Sequence, residues 1–245
     1  MENKSSHSQP PWRAKVLTLY PELFPGPLGA SVIGRGLAND VWSLETTNIR
    51  DFSDNAYGSV DDTPAGGGAG LVMRADVLAA SMDAISDAEG LARIALSPRG
   101  SPFSQSDAQA LADGSGVILV CGRFEGIDER FFDARDVKQV SIGDFVLAGG
   151  EIAAMALLEA CVRLLPGVLG AAESLEQESF QHIGHHGPLL EYPQFTRPRV
   201  FEGREIPPVL LSGDHKKIAA WRRDRAIDLT RARRPDLLEK ARKEP

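Results

Sequence analysis

The chain has 245 residues, 42% hydrophobic, 25% charged and 7% aromatic, with a formal net charge of −7. That balance belongs to an ordinary soluble globular protein and excludes a collagenous, disordered or disulfide-stapled chain. No run approaches the ~20 apolar residues of a membrane-spanning helix, and two cysteines, Cys121 and Cys161, are too few for a disulfide framework or a four-ligand zinc site, so reduced thiols and a cytoplasmic location are expected.

Residues 1–12, with Ser5, Ser6, His7, Ser8, Pro10 and Pro11 and no apolar core, read as a loose tail rather than a secretion signal. Ala14 to Tyr20 alternates and has β character, stopping at Pro21, and Val41 to Asn48 is a second strand-like run. Between Asp76 and Ala88, Val77, Leu78, Met82 and Ile85 recur at helical spacing. Three more strands are expected at Arg93 to Leu96, Gly116 to Val120 and Lys138 to Ile142, each running into a loop rich in Gly, Pro or Ser. Ser106 to Ala112 and Gly126 to Arg135 between them have helical composition. Strands alternating with helices imply an α/β fold with a mainly parallel sheet.

Glu151 to Leu165 is the clearest helix, apolar on most sides and ended by Pro166-Gly167, and should be buried. Ala171 to Pro188 is polar, carries glycines and histidines, and reads as a linker; a domain boundary is placed there. Pro193, Pro198 and Pro207-Pro208 precede a basic helical tail. From Ser212 onward eleven basic residues face six acids, about +5, which leaves −12 on residues 1–211. Such segregation fits either a C-terminal part that meets phosphates or a solvated helical surface.

The loops after the three later strands read Leu96-Ser97-Pro98-Arg99-Gly100, Cys121-Gly122-Arg123-Phe124-Glu125-Gly126, and Ser141-Ile142-Gly143-Asp144-Phe145-Val146-Leu147-Ala148-Gly149-Gly150-Glu151. In open α/β sheets ligands bind where loops converge at the carboxyl ends of strands. Singly, such glycines only make turns; three clusters at successive strand ends point to a ligand that approaches the backbone closely. None is a dinucleotide fingerprint or a phosphate loop, which disfavours a nucleotide-binding α/β protein. A fourth cluster, Asp61-Asp62-Thr63-Pro64-Ala65-Gly66-Gly67-Gly68-Ala69-Gly70, reads as a flexible flap whose carboxylates could hydrogen-bond a substrate, or as a plain surface loop. Adjacent carboxylates usually point apart, which argues against a metal there.

With their order and spacing these segments closely resemble the bacterial tRNA (guanine-N1)-methyltransferases of the TrmD type. The resemblance is carried by LYPELF (19–24), VDDTPAGGGAG (60–70), CGRFEGIDER (121–130), SIGDFVLAGGE (141–151), LLPGVLG (164–170), YPQFTRP (192–198) and PPVLLSGDH (207–215), and covers about residues 13–240. It implies a SPOUT-class α/β fold: a mainly parallel sheet with a deep trefoil knot, and a small helical C-terminal domain on a flexible linker. The implied domains are 13–170 for the catalytic part, 171–188 for the linker and 189–245 for tRNA binding.

The resemblance implies S-adenosylmethionine as methyl donor, held by Leu96, Ser97, Pro98, Gly100, Gly122, Phe124, Glu125, Gly126, Ile142, Gly143, Asp144, Phe145, Val146, Leu147, Gly149 and Gly150. The methyl group would go to N1 of guanosine at tRNA position 37. Glu178 would be the general base, with Glu176 a second candidate, and Arg163 would stabilise charge on O6. Asp61, Asp62, Gly67, Gly68, Ser212, Asp214 and His215 would meet the tRNA. Two subunits would share each active site, so the implied partners are the tRNA anticodon arm and a second copy of the chain. Magnesium-dependent transfer is implied without a locatable site.

The sequence departs from the family in three places. Glu178 stands where an aspartate precedes Ser-Phe, Thr63 and Ala65 replace Arg and Tyr, and the connector Gln181 to Pro188 is longer than usual. His182, His185 and His186 in that connector lack a cysteine to complete a zinc set, and a linker that orders on tRNA binding is the expectation. Rival readings are another SPOUT enzyme with a ribosomal RNA or ribose target, and an RNA-binding protein that has lost the chemistry.

Overall fold

The computed structural model describes residues 11–169, 178–182 and 187–241, and the chain divides into two units, residues 1–170 and 171–245. In the first unit the order is β1 (Trp12–Thr18), α1 (Ser31–Ala38), β2 (Trp42–Asn48), β3 (Asp61–Asp62), β4 (Val72–Met73), α2 (Ala75–Asp83), β5 (Ala92–Pro102), α3 (Gln105–Ala112), β6 (Gly116–Cys121), α4 (Arg130–Arg135), β7 (Lys138–Ser141) and α5 (Glu151–Val162). Five strands form one sheet in the order β2-β1-β6-β5-β7, and every neighbouring pair is parallel. The parallel α/β expectation holds.

The central strand β6 shows why. All six of its residues, GVILVC, are buried, as a strand covered by helices on both faces requires. Ile118 and Val120 join Leu17, Ala95, Val77, Leu78, Phe131 and Phe132 in one core with α2 and α4. By the pleat, Val117, Leu119 and Cys121 face the other layer, where α3 and α5 contact each other and β6. Lys15 on β1 is 6% exposed, and its ammonium meets Glu45 directly opposite on β2, Nζ to Oε2 2.7 Å.

The bounds shift from the expected ones for local reasons. β1 starts at Trp12, a residue assigned to the tail. Its indole is buried and donates to the Leu111 carbonyl at 2.9 Å; residues 1–10 lie outside the described part. β1 stops at Thr18, whose hydroxyl accepts the Tyr20 amide at 3.0 Å, and Pro21 then opens a 3-10 turn. α2 ends at Asp83, five residues before its expected end at Ala88; Asp87 has φ +53, which a right-handed helix cannot accommodate. α5 ends at Val162 because the Leu164 and Leu165 amides bond to the Cys161 and Val162 carbonyls at 3.0 and 3.1 Å, a tightening into 3-10 geometry before Pro166. α1 was not expected at all.

Among its described residues the second unit has two short antiparallel ribbons and two α-helices. β8 (Gln181–His182) pairs with β9 (Pro188–Leu189), and β10 (Val200–Phe201) with β11 (Arg204–Glu205). The first ribbon falls in the stretch expected to be linker. α6 (His215–Arg233) and α7 (Pro235–Ala241) follow, as the helical tail predicts. Buried Thr230 joins the pieces: its hydroxyl accepts the Leu190 amide at 2.9 Å and donates to the Ala226 carbonyl at 2.7 Å. Among the described residues no helix is long and apolar enough to cross a membrane.

Candidate functional site

At the carboxyl ends of β5, β6 and β7 the three glycine-containing loops surround one cleft of about 230 Å³. Fourteen of the sixteen residues that the resemblance assigns to the methyl donor line it: Leu96, Ser97 and Pro98 from the first loop; Gly122, Phe124, Glu125 and Gly126 from the second; Ile142, Gly143, Phe145, Val146, Leu147, Gly149 and Gly150 from the third. Gly100 and Asp144 are outside it. The lining also includes Arg99, Arg123, Ile127, Ala148 and Ala153, to which the sequence reading gave no role.

Local folding explains the convergence. Leu96 and Ser101 both pair with Val140 of β7, so Ser97 to Gly100 loop out of β5 between two stretches of the same strand. The bulge closes on Gly100, where an added Cβ would fall 2.3 Å from the Val140 amide nitrogen. Gly100 therefore shapes the first loop from behind and does not face the cleft. Residues 142–150 belong to no helix or strand, and the Gly150 amide donates to the Gly122 carbonyl at 2.9 Å, tying the third loop to the second.

A polar network underlies this junction. Glu151, 1% exposed in the first turn of α5, accepts from the Thr18 hydroxyl at 2.8 Å and from Arg123 Nε at 3.2 Å, while Arg123 Nη2 lies 2.8 Å from its other oxygen. The same guanidinium donates to the Ala148 carbonyl at 3.3 Å and stacks 4.4 Å above the Tyr20 ring. A first-turn acid also suits the positive end of the helix.

The flap is fastened to the cleft. β3 and β4 form its base, and three backbone bonds join it to the second loop: Glu125 N–H to Leu71 O at 2.9 Å, Met73 N–H to Gly126 O at 2.9 Å, and Asp128 N–H to Met73 O at 3.0 Å. Asp61 is half-buried and Asp62 exposed; the Asp62 carboxylate accepts the Thr63 amide at 2.7 Å. Gly67 and Gly68 are exposed at the tip.

Arg163 is the half-buried C-cap of α5. Glu178, also half-buried, belongs to the second unit and precedes an anchored turn: Ser179 Oγ accepts the Glu191 amide at 3.0 Å, and the Phe180 amide donates to Leu189 O at 2.6 Å. Glu176, His185 and His186 lie outside the described residues. Ser212, Asp214 and His215 gather at the start of α6. Asp214 caps it, accepting the Lys217 amide at 3.2 Å, which together with the Lys217 ammonium holds its carboxyl below the usual range. Its own amide donates to Ser212 Oγ at 3.2 Å, so two of these three residues also shape the helix entry. Among the described residues no three His, Cys, Asp or Glu side chains come together to hold a metal.

Comparison with known proteins names the chemistry. The family model for tRNA (Guanine-1)-methyltransferase TrmD matches residues 12–240. A tRNA (guanine-N(1)-)-methyltransferase of Rhodopseudomonas palustris strain CGA009 is 62% identical over 226 residues, covering 92% of this chain and 89% of that one. Proteins of the same name from Nitrobacter winogradskyi and Bartonella tribocorum are each 59% identical over 226 residues, covering 92% of this chain and 92% and 94% of theirs.

Proposed function

The chain belongs to the TrmD family of tRNA (guanine-1)-methyltransferases, and from that premise we propose that it methylates N1 of guanosine 37, beside the tRNA anticodon. The observation that carries the reading is the cleft at the strand ends, where loops 96–99, 122–127 and 142–150 meet. Its walls fit the adenosyl part of S-adenosylmethionine: Leu96, Ile142 and Leu147 offer apolar faces to a flat ring, and the irregular third loop offers backbone polar groups. In this reading the loops thread as a deep trefoil knot. The Gly150 to Gly122 bond supports such close interlacing.

When bound, the donor supplies a methyl group already activated by its sulfonium. The chain's own task lies on the guanine side, where N1 carries a proton. The Glu178 carboxylate takes that proton, and Arg163 stabilises the charge that develops toward O6. Asp61, Asp62 and the flap glycines lie beside the target base, because the flap is bonded to the second loop. The basic α6 meets phosphates of the anticodon arm, with Ser212, Asp214 and His215 at its entry. Magnesium enters this reading without a site on the chain.

A homodimer completes the site, with Glu178 of one subunit serving the cleft of the other. Exposed apolar side chains support a covering partner: Phe145 is 53% exposed, Val146 82% and Ile152 61%, all on or next to the third loop. The roles are tested by single-turnover methyl transfer. Glu178→Gln should slow the methyl step by about 100-fold or more while leaving cofactor affinity unchanged, and Arg163→Ala should slow it with the cofactor still bound. Full activity in Glu178→Gln would remove it as the base and turn attention to Glu176 or the flap carboxylates.

A further inference from the structure

We infer that Arg123 and Glu151 form a positioning pair for the methyl donor, in which the arginine, seated on a buried carboxylate, fixes the wall of the cleft made by the third loop. The inference rests on the reading that this cleft holds S-adenosylmethionine. Four segments meet at the pair: the end of β1 through Thr18, the second loop through Arg123 itself, the third loop through the Ala148 carbonyl, and the start of α5 through Glu151. The side chain lies flush beneath the third loop, since an added Cβ on Gly149 would fall 2.1 Å from Arg123 Nε. The Tyr20 ring stacks on the guanidinium.

Core stability alone does not call for this arrangement. Burying a carboxylate to 1% exposure is costly, and apolar side chains of similar volume often serve a core as well as an ion pair or better. What the fork supplies is direction. Nε donates to one Glu151 oxygen and Nη2 makes an ion pair with the other, and this two-point contact orients the guanidinium so that Nη1 donates to one carbonyl of the third loop. A lysine has a single ammonium and cannot hold both directions. The pair thus sets where Gly149, Leu147 and their backbone groups stand relative to the second loop, across the opening that the cofactor enters.

The test measures KM for S-adenosylmethionine, KM for tRNA and kcat in Arg123→Lys, Arg123→Met, Glu151→Gln and the double Arg123→Met/Glu151→Gln protein, with unfolding midpoints and S-adenosylhomocysteine affinity alongside. Loss of a charge-assisted bond should raise the cofactor KM by about tenfold or more in Arg123→Met and Glu151→Gln, with tRNA KM and kcat within about threefold of wild type. Arg123→Lys should restore part of the affinity, and the double variant should be no worse than the poorer single one. A cofactor KM that stays put in folded variants, additive losses, or a fall in kcat alone would overturn the inference. If Arg123→Met does not fold, Arg123→Lys decides by the same ratio. Ile142→Arg, in the cleft wall, separates the two claims. If it leaves cofactor binding intact, the cleft reading fails; if it abolishes binding while the Arg123 variants are silent, only the positioning role fails.

Discussion

Burial pushes the Cys161 thiol up to about 12 and holds the Cys121 thiol well above its ordinary value, with the nearby Glu151 charge adding to the shift at Cys121. Both therefore stay protonated and shielded at neutral pH. Iodoacetamide should label neither in the native protein and both in denaturant, as read by mass spectrometry; rapid native labelling would contradict the burial. The sign of the pH dependence follows. A raised folded value favours the folded state below the unfolded thiol's value near 9.0, and that contribution is lost as pH climbs toward 12. Denaturant midpoints should accordingly fall above pH 9, and replacing Cys161 by alanine should flatten that part of the profile. The cysteine count was plain in the sequence, but the environments were not. The same holds for Arg123: its motif could be recognised, whereas its partner lies 28 residues on and looks like any first-turn acid.

Elements whose cause is local were readable from sequence, and those set by distant contacts were not. β6 and α5 announce themselves by unbroken apolar runs. The second half of β5 does not, since Ser97-Pro98-Arg99-Gly100 reads as a loop, whereas in the structure it bulges within the strand; Val140 on another strand brings Ser101 back into register. Gly100→Ala tests that device. Its Cβ has no room against the Val140 backbone, so the variant should loosen β7, lower the unfolding midpoint and weaken cofactor binding together. An unaltered midpoint and affinity would show the bulge to be tolerant. In the second unit one buried hydroxyl, that of Thr230, ties the Leu190 amide beside the first ribbon to α6. Thr230→Val keeps the volume and strands the Leu190 amide, which should cost about 1–3 kcal/mol in chemical denaturation.

At the scale of the molecule, the charge division was visible in the sequence and the strand order was not, because crossover topology leaves no mark on composition. The basic stretch from Ser212 onward, which contains α6, predicts steep salt dependence. If about six phosphates are neutralised, tRNA affinity should fall by about a thousandfold between roughly 50 and 200 mM salt. A flat salt response would remove the phosphate-binding role from α6. Sharing of sites between subunits has its own signature. Mixing Glu178→Gln protein with Ile142→Arg protein should restore methyl transfer, because one site of each mixed dimer then holds an intact cleft and an intact carboxylate. No recovery after subunit exchange would place both residues in one chain.

In the proposed reaction the cleft and the Glu178 carboxylate together put a methyl group on N1 of one guanine in tRNA. Its most direct test is transfer from labelled S-adenosylmethionine to two transcripts that differ only in guanosine or adenosine at position 37, with the product nucleoside identified by mass spectrometry. The first transcript should yield labelled N1-methylguanosine and the second none. Label on both transcripts, or no label despite cofactor binding, would contradict the proposed reaction.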